Sequence, residues 1–121
     1  MLFVEYPKCS TCRKAKAWLD ARGADYEDRH IAEARPTEAE LRTWHAASGL
    51  ALRRFFNTSG MKYRELALAE KLPTMSADGM LALLASDGML VKRPLLILGD
   101  PAAPDAVLVG FRETEWAAAL E

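Results

Sequence analysis

Tyr6-Pro7-Lys8-Cys9-Ser10-Thr11-Cys12-Arg13-Lys14-Ala15-Lys16 is the stretch on which the reading of this chain turns. Cys9 and Cys12 are the protein's two cysteines, three positions apart. An apolar run, Met1-Leu2-Phe3-Val4, leads into them, and a helical pattern with Ala15, Trp18, Leu19 and Arg22 on one face follows. A short buried strand therefore feeds a helix, with the cysteine pair at the turn between them. That context separates a redox motif from a chance C-x-x-C.

Residues i and i+3 in the first turn of a helix share a face, which places their Cα atoms about 5–6 Å apart, inside the disulfide window. Cys9 is expected at or just before the first turn, where unpaired backbone N–H groups point at its sulfur. The helix dipole supplies only about 0.3–1 kcal/mol, less than the roughly 1.4 kcal/mol of one pKa unit. A reactive thiolate therefore needs further positive charge, for which Lys8, Arg13, Lys14 and Lys16 are the local candidates. Cys9, nearer the helix end, is the expected nucleophile, and Cys12, one turn in, the expected resolving thiol. Two structural thiols, or half of a zinc site, are the competing readings. His30 and His45 are the only histidines and lack ligand spacing to the pair, so no metal is expected.

The Tyr6–Ala15 segment resembles the active-site loop of the arsenate reductase (ArsC)/Spx family, on its Spx/MgsR-like side. Three later stretches resemble it in the same order: Phe-Phe-Asn-Thr-Ser-Gly-Met-Lys-Tyr-Arg-Glu-Leu at 55–66, Lys-Arg-Pro-Leu-Leu-Ile at 92–97 and Val-Gly-Phe-Arg at 109–112. The resemblance spans essentially the whole chain. It implies an α/β fold that is thioredoxin-like (glutaredoxin-like): a four-stranded mixed sheet with an all-helical insertion between strands 2 and 3. The core would occupy about 1–35 and 90–121, and the insertion about 36–89, in one domain spanning 1–121.

The resemblance also implies a thiol redox protein. Cys9 would attack a small oxyanion or a disulfide, and Cys12 would resolve the product. Arg93 and Arg112 match the family's anion-binding arginines, and Arg13 is grouped with them as a substrate contact. Pro94 would follow a cis bond beside the cysteine loop. No bound cofactor is expected; electrons would come from an external thiol, either glutathione with glutaredoxin or thioredoxin. Spx-like members instead bind the C-terminal domain of the RNA polymerase α subunit and use the cysteine pair as a redox switch, so that partner is the alternative. Two positions depart from the reductases: Asn57 stands where they carry a third arginine, and Cys12 where the single-cysteine enzymes carry serine. The lost charged donor would cost a desolvated oxyanion about 1.5–3 kcal/mol.

The rest of the chain agrees with one soluble domain. Its 121 residues are half hydrophobic and 27% charged, enough for a core. The net charge of −1 lacks a strong nucleic-acid footprint, so direct nucleic-acid binding is not expected. No run approaches the ~20 apolar residues of a membrane span. The absence of a signal-peptide pattern and the C-x-x-C spacing lead us to expect a cytoplasmic protein; a monomer is expected as well.

Along the chain, strands are expected at 2–5 and 24–30, joined through a helix at Ser10–Ala21 that Gly23 stops. Thr37-Glu38-Ala39-Glu40 is a capping box opening a helix to about 47, with Gly49 after it. Short helices are expected at 51–56 and from Tyr63 to Leu68, and Ser76 caps one whose face carries Met80, Leu83 and Leu84. Strands at 95–98 and 106–109 make an antiparallel hairpin around a loop holding Pro101 and Pro104. A last helix starts near Glu113, with Trp116 and Leu120 one turn apart.

Overall fold

The structure is a computed structural model that describes residues 1–121. Strand β1 (Leu2–Glu5) runs into helix α1 (Ser10–Ala21), which returns the chain to β2 (Glu27–His30), parallel to β1. The helical insertion follows, then β3 (Leu95–Asp100) and β4 (Ala103–Val109), both in antiparallel pairing. The sheet order is β2-β1-β3-β4. This is the expected four-stranded mixed sheet, with its all-helical insertion between the second and third strands.

β1 is central, and all four of its residues are buried. Its side chains alternate between two cores. Leu2 and Val4 join a 17-residue cluster that includes Leu41, Trp44, Phe55 and Phe56 of the insertion. Phe3 joins the opposite cluster, with Ala15 and Leu19 of α1, Leu96 of β3 and Trp116 of the last helix. An apolar run covered on both faces is what a central strand of such a sheet requires.

The insertion holds α2 (Glu38–Ser48), a 3-10 turn at Leu52–Phe55, α3 (Met61–Glu65), α4 (Leu68–Lys71) and α5 (Ala77–Ser86). The capping box is present: Glu40 N donates to Thr37 Oγ1 at 3.1 Å and Thr37 N to Glu40 Oε1 at 3.0 Å. Glu40 also takes both arms of Arg29, at 2.6 and 2.9 Å, so the same carboxylate caps α2 and ties it to β2. Helix α6 (Glu113–Leu120) closes the chain and buries Trp116.

The structure corrects three boundaries and one buried face. The second strand begins at Glu27, because the amides of Gly23 and Ala24 still bond back to Asp20 and Leu19 at the end of α1. The expected helix at Tyr63–Leu68 is two pieces, parted at Ala67, whose φ of +52° interrupts the turn. On α5 the buried face centres on Leu81 and Leu84, with Met80 and Leu83 at its flanks. The β3–β4 connection is shorter than expected. Pro104 lies in β4 opposite Gly99, where a register shift falls, and an edge strand tolerates the proline's missing donor.

One pairing links the middle of the insertion to the segment that leads into β3. Phe56 and Val91 form an isolated antiparallel bridge, with Asn57 N to Leu90 O and Lys92 N to Phe55 O both at 2.7 Å. The segments around 57 and 93 are thereby held side by side.

Candidate active site at the start of helix α1

Cys9 is the N-cap of α1, in extended conformation at φ −81° and ψ 124°. Its amide closes the Tyr6-Pro7-Lys8 turn by donating to Tyr6 O at 2.9 Å, and its carbonyl accepts from Arg13 N at 3.0 Å. The sulfur lies at the open end of the helix, half-buried, whereas Cys12 is fully buried; both are free thiols. Partial burial by itself raises the Cys9 pKa. The backbone and thiol of Cys12, the Thr11 amide and the Arg93 charge more than offset it and hold Cys9 below its ordinary value. Cys12 goes the other way. Burial, helped by the hydrogen bond and charge of Cys9 and by the charge of Glu5, pushes it up to about 12 against a lowering backbone contact from Tyr6. The two thiols are thus chemically unequal: one poised to ionise at the surface, one kept protonated beneath it.

The extra positive charge required at Cys9 is Arg93, from the far end of the sequence, with backbone N–H groups as the larger contribution. Arg93 enters through a cis peptide bond to Pro94. Its Nη1 donates to Met89 O at 3.1 Å, and its guanidinium lies 5.3 Å from the centre of the Tyr6 ring. With the Asn57 amide turned oxygen-first, Asn57 Oδ1 accepts from both Nη1 (3.2 Å) and Nη2 (3.1 Å). The guanidinium is therefore aimed by a neutral partner that leaves its charge intact.

These groups line a cleft of about 360 Å³ containing Cys9, Lys8, Thr11, Asn57, Lys92 and Arg93. A larger cleft of about 670 Å³ shares Thr11, Lys92 and Arg93 with it and adds Arg54 and Arg112. Arg112 is exposed, 3.8 Å from Glu115, and lines this second cleft rather than the one holding Cys9. Arg13 stands apart from both. Its Nε donates to Pro7 O at 3.0 Å and its Nη2 to Lys8 O at 3.3 Å, so its guanidinium braces the backbone of the cysteine loop. Lys16 turns to Asp28, at 2.5 Å. No group of three or more His, Cys, Asp and Glu side chains is placed to hold a metal ion.

Sequence reading missed Lys92 and the role of Asn57. The former is signalled only by adjacency to Arg93, the latter by nothing short of the Phe56–Val91 bridge. It also missed Glu5, the one charged residue in the buried set. Its signal was an acid ending an apolar strand directly before the cysteine loop.

Comparison with known proteins identifies the setting. The ArsC family model matches residues 4–119. YusI of Bacillus subtilis, an uncharacterised protein, is 54% identical over 96% of this chain and 94% of its own. The regulatory protein MgsR of the same organism is 29% identical, covering 80% of this chain and 75% of its own. The crystal structure of a possible arsenate reductase from Streptococcus mutans superimposes with a TM-score of 0.82 at 45% identity, over 96% of each chain. The fold is thioredoxin-like, and the chain belongs to the ArsC family.

Proposed function

We propose that this protein is a thiol-dependent oxidoreductase in which Cys9 is the nucleophile and Cys12 the resolving thiol. The observation that carries this reading is the inequality of the two sulfurs: a lowered, accessible thiol at a helix N-terminus, three residues before a buried, raised one. The Cys9 thiolate attacks one sulfur of a disulfide, forms a Cys9 mixed disulfide and expels the other sulfur as thiolate. Cys12 then attacks Cys9, releases the second thiol and leaves a Cys9–Cys12 disulfide. An external thiol, glutathione with glutaredoxin or thioredoxin, supplies the two electrons that reopen it. Arg93, fixed by Asn57, holds an anionic group of the substrate beside Cys9. A small oxyanion such as arsenate would take the same place as the alternative substrate, and similarity to the possible arsenate reductase of Streptococcus mutans supports it.

The test is turnover of the glutathione mixed disulfide of 2-mercaptoethanol, coupled to NADPH oxidation through glutathione reductase, with arsenate as a parallel substrate. Activity should vanish in Cys9→Ser, while Cys12→Ser should accumulate a Cys9-linked mixed disulfide. No turnover with either substrate would remove the reading.

Similarity to MgsR favours a second reading, in which the same cysteine pair switches a cytoplasmic regulator that binds the RNA polymerase α subunit. The measurement is affinity for the α C-terminal domain with the pair reduced and oxidised. Equal affinity in both states would eliminate a redox switch.

A further inference from the structure

Glu5 is 3% exposed and the only charged residue in the buried set. It shares a face of β1 with Phe3, whose neighbours Ala15, Leu19, Leu96 and Trp116 are apolar, so Glu5 points toward α1. It immediately precedes Tyr6, whose backbone contacts the Cys12 thiol. On α1, Cys12 and Lys16 lie one turn apart on one face, and Lys16 Nζ is 3.6 Å from Glu5 Oε2. Lys16 Nζ also lies 2.5 Å from Asp28 Oδ2 of β2, and the Asp28 and Glu5 carboxyls are within hydrogen-bonding reach of each other. Lys16 and Asp28 reach solvent, with side chains 44% and 35% exposed. His30, the register partner of Glu5 on β2, uses its Nδ1 to accept the amides of Ala32 and Glu33. A carboxyl otherwise unexplained thus lies beneath the turn that carries the buried thiol, with a polar path from it to water.

We propose that Glu5 is the proton acceptor for Cys12, passing the proton outward through Asp28 beside Lys16 when Cys12 attacks the Cys9 mixed disulfide. The step balances without a further reactant. The Cys12 S–H bond breaks, its proton goes to the Glu5 carboxylate and its electron pair forms the Cys12–Cys9 bond. The Cys9–SR bond breaks, and RS⁻ leaves with that bond's pair. Two physical features favour this timing. Once Cys9 is in a mixed disulfide it bears no charge, so its opposition to ionising Cys12 disappears. A carboxylate that takes the Cys12 proton simultaneously loses the negative charge that opposed a thiolate there. Burial and the Asp28 charge hold Glu5 near 7, suited to a proton acceptor at neutral pH.

This inference rests on Cys12 being the resolving thiol, and one experiment separates the two. One equivalent of 5,5′-dithiobis(2-nitrobenzoate) is mixed with the reduced protein in a stopped-flow cell. Release of thionitrobenzoate is followed from pH 5 to 9. Cys9 attack gives the first phase and Cys12 resolution the second; absence of a second phase in the unaltered protein would overturn the resolving role and the inference with it. With two phases, the second should accelerate with pH around an inflection near 7. In Glu5→Gln it should slow about 10²-fold and lose the inflection, with the first phase unchanged. A second phase of unchanged rate, one slowed with its inflection intact, or equal slowing of both phases would overturn the proposal. Asp28→Asn carries the test independently should Glu5→Gln not fold. Removing that charge should move the inflection to lower pH, and an unmoved inflection would overturn the proposal.

Discussion

At the scale of single residues, the reactivity of Cys9 is assembled from unequal parts. Backbone N–H groups of the first turn lower its pKa more than Arg93 does. In a Cys12→Ser background, Arg93→Met should therefore raise the pH midpoint of Cys9 alkylation, yet leave it below that of a free thiol. Iodoacetamide rates against pH measure this, and an unmoved midpoint would show Arg93 to be uninvolved. Asn57 has a different task. As a neutral acceptor it orients the guanidinium without consuming its charge. Asn57→Asp keeps the geometry and cancels the charge, so protection of Cys9 by arsenate or sulfate should weaken by about 1.5–3 kcal/mol, the worth of one charged hydrogen bond. Protection equal to that of the unaltered protein would count against an anion site at Arg93. Cys9 and Cys12 were legible because they sit in a local motif, whereas Arg93 was marked out only by the family resemblance of the 92–97 stretch. Asn57 reads locally as a turn residue and as a lost arginine, and its partnership with Arg93 exists only once residues 36 positions apart are brought together.

At the scale of elements, the best-read pieces are those whose ends are written in local chemistry. The apolar run made β1, the Thr37–Glu40 box started α2, and Gly23 and Gly49, with φ of +65° and +71°, stand at or beyond the ends of α1 and α2. Thr37→Ala should cost about 1 kcal/mol, within the 0.5–2 range for lost N-caps. The bond lost is that from Glu40 N to Thr37 Oγ1, while the backbone N–H of residue 37 and Arg29 still hold the Glu40 carboxylate. Elements whose limits depend on neighbours were less legible. Pro104 belongs to β4 because β4 is an edge, and edge position is a property of the sheet, not of the segment. Gly88 is a similar case. It reads as a helix stop, but in the fold a methyl there would collide with the carbonyl of Ile31 at the end of β2. Gly88→Ala should destabilise by about 2 kcal/mol or more, beyond an ordinary surface change. Urea unfolding checks both variants; a Gly88→Ala protein as stable as the original would mean this junction is slack.

Across the whole molecule, the sheet divides two cores, and the chemistry sits where they meet the carboxyl end of β1. The insertion packs on the Leu2 and Val4 side and delivers Asn57 and Lys92. Helices α1 and α6 pack on the Phe3 side, and there the fold buries Glu5. That burial has a cost visible in the pH dependence of stability. Burial first, then Asp28, raises Glu5 from 4.5 to about 7, so between these values the folded chain holds a proton that the unfolded chain has lost. Stability must therefore fall as pH rises through that window and remain lower above it. At about 1.4 kcal/mol per unit the loss is a few kcal/mol, a large share of a small domain's stability. Asp28 and Glu40 are shifted downward, so their contributions are lost at acid pH, below the window in which Glu5 acts. Glu5→Gln should then equal the original protein near pH 5 and exceed it near pH 8, read from urea midpoints at the two values. A flat curve for the original protein between them would mean that Glu5 titrates as an ordinary surface carboxyl. The same substitution that slows resolution of the Cys9 mixed disulfide should thus make the protein more stable at neutral pH. Local packing alone would favour a neutral residue at this position, and a buried acid kept against that preference is accounted for by the proton it takes from Cys12.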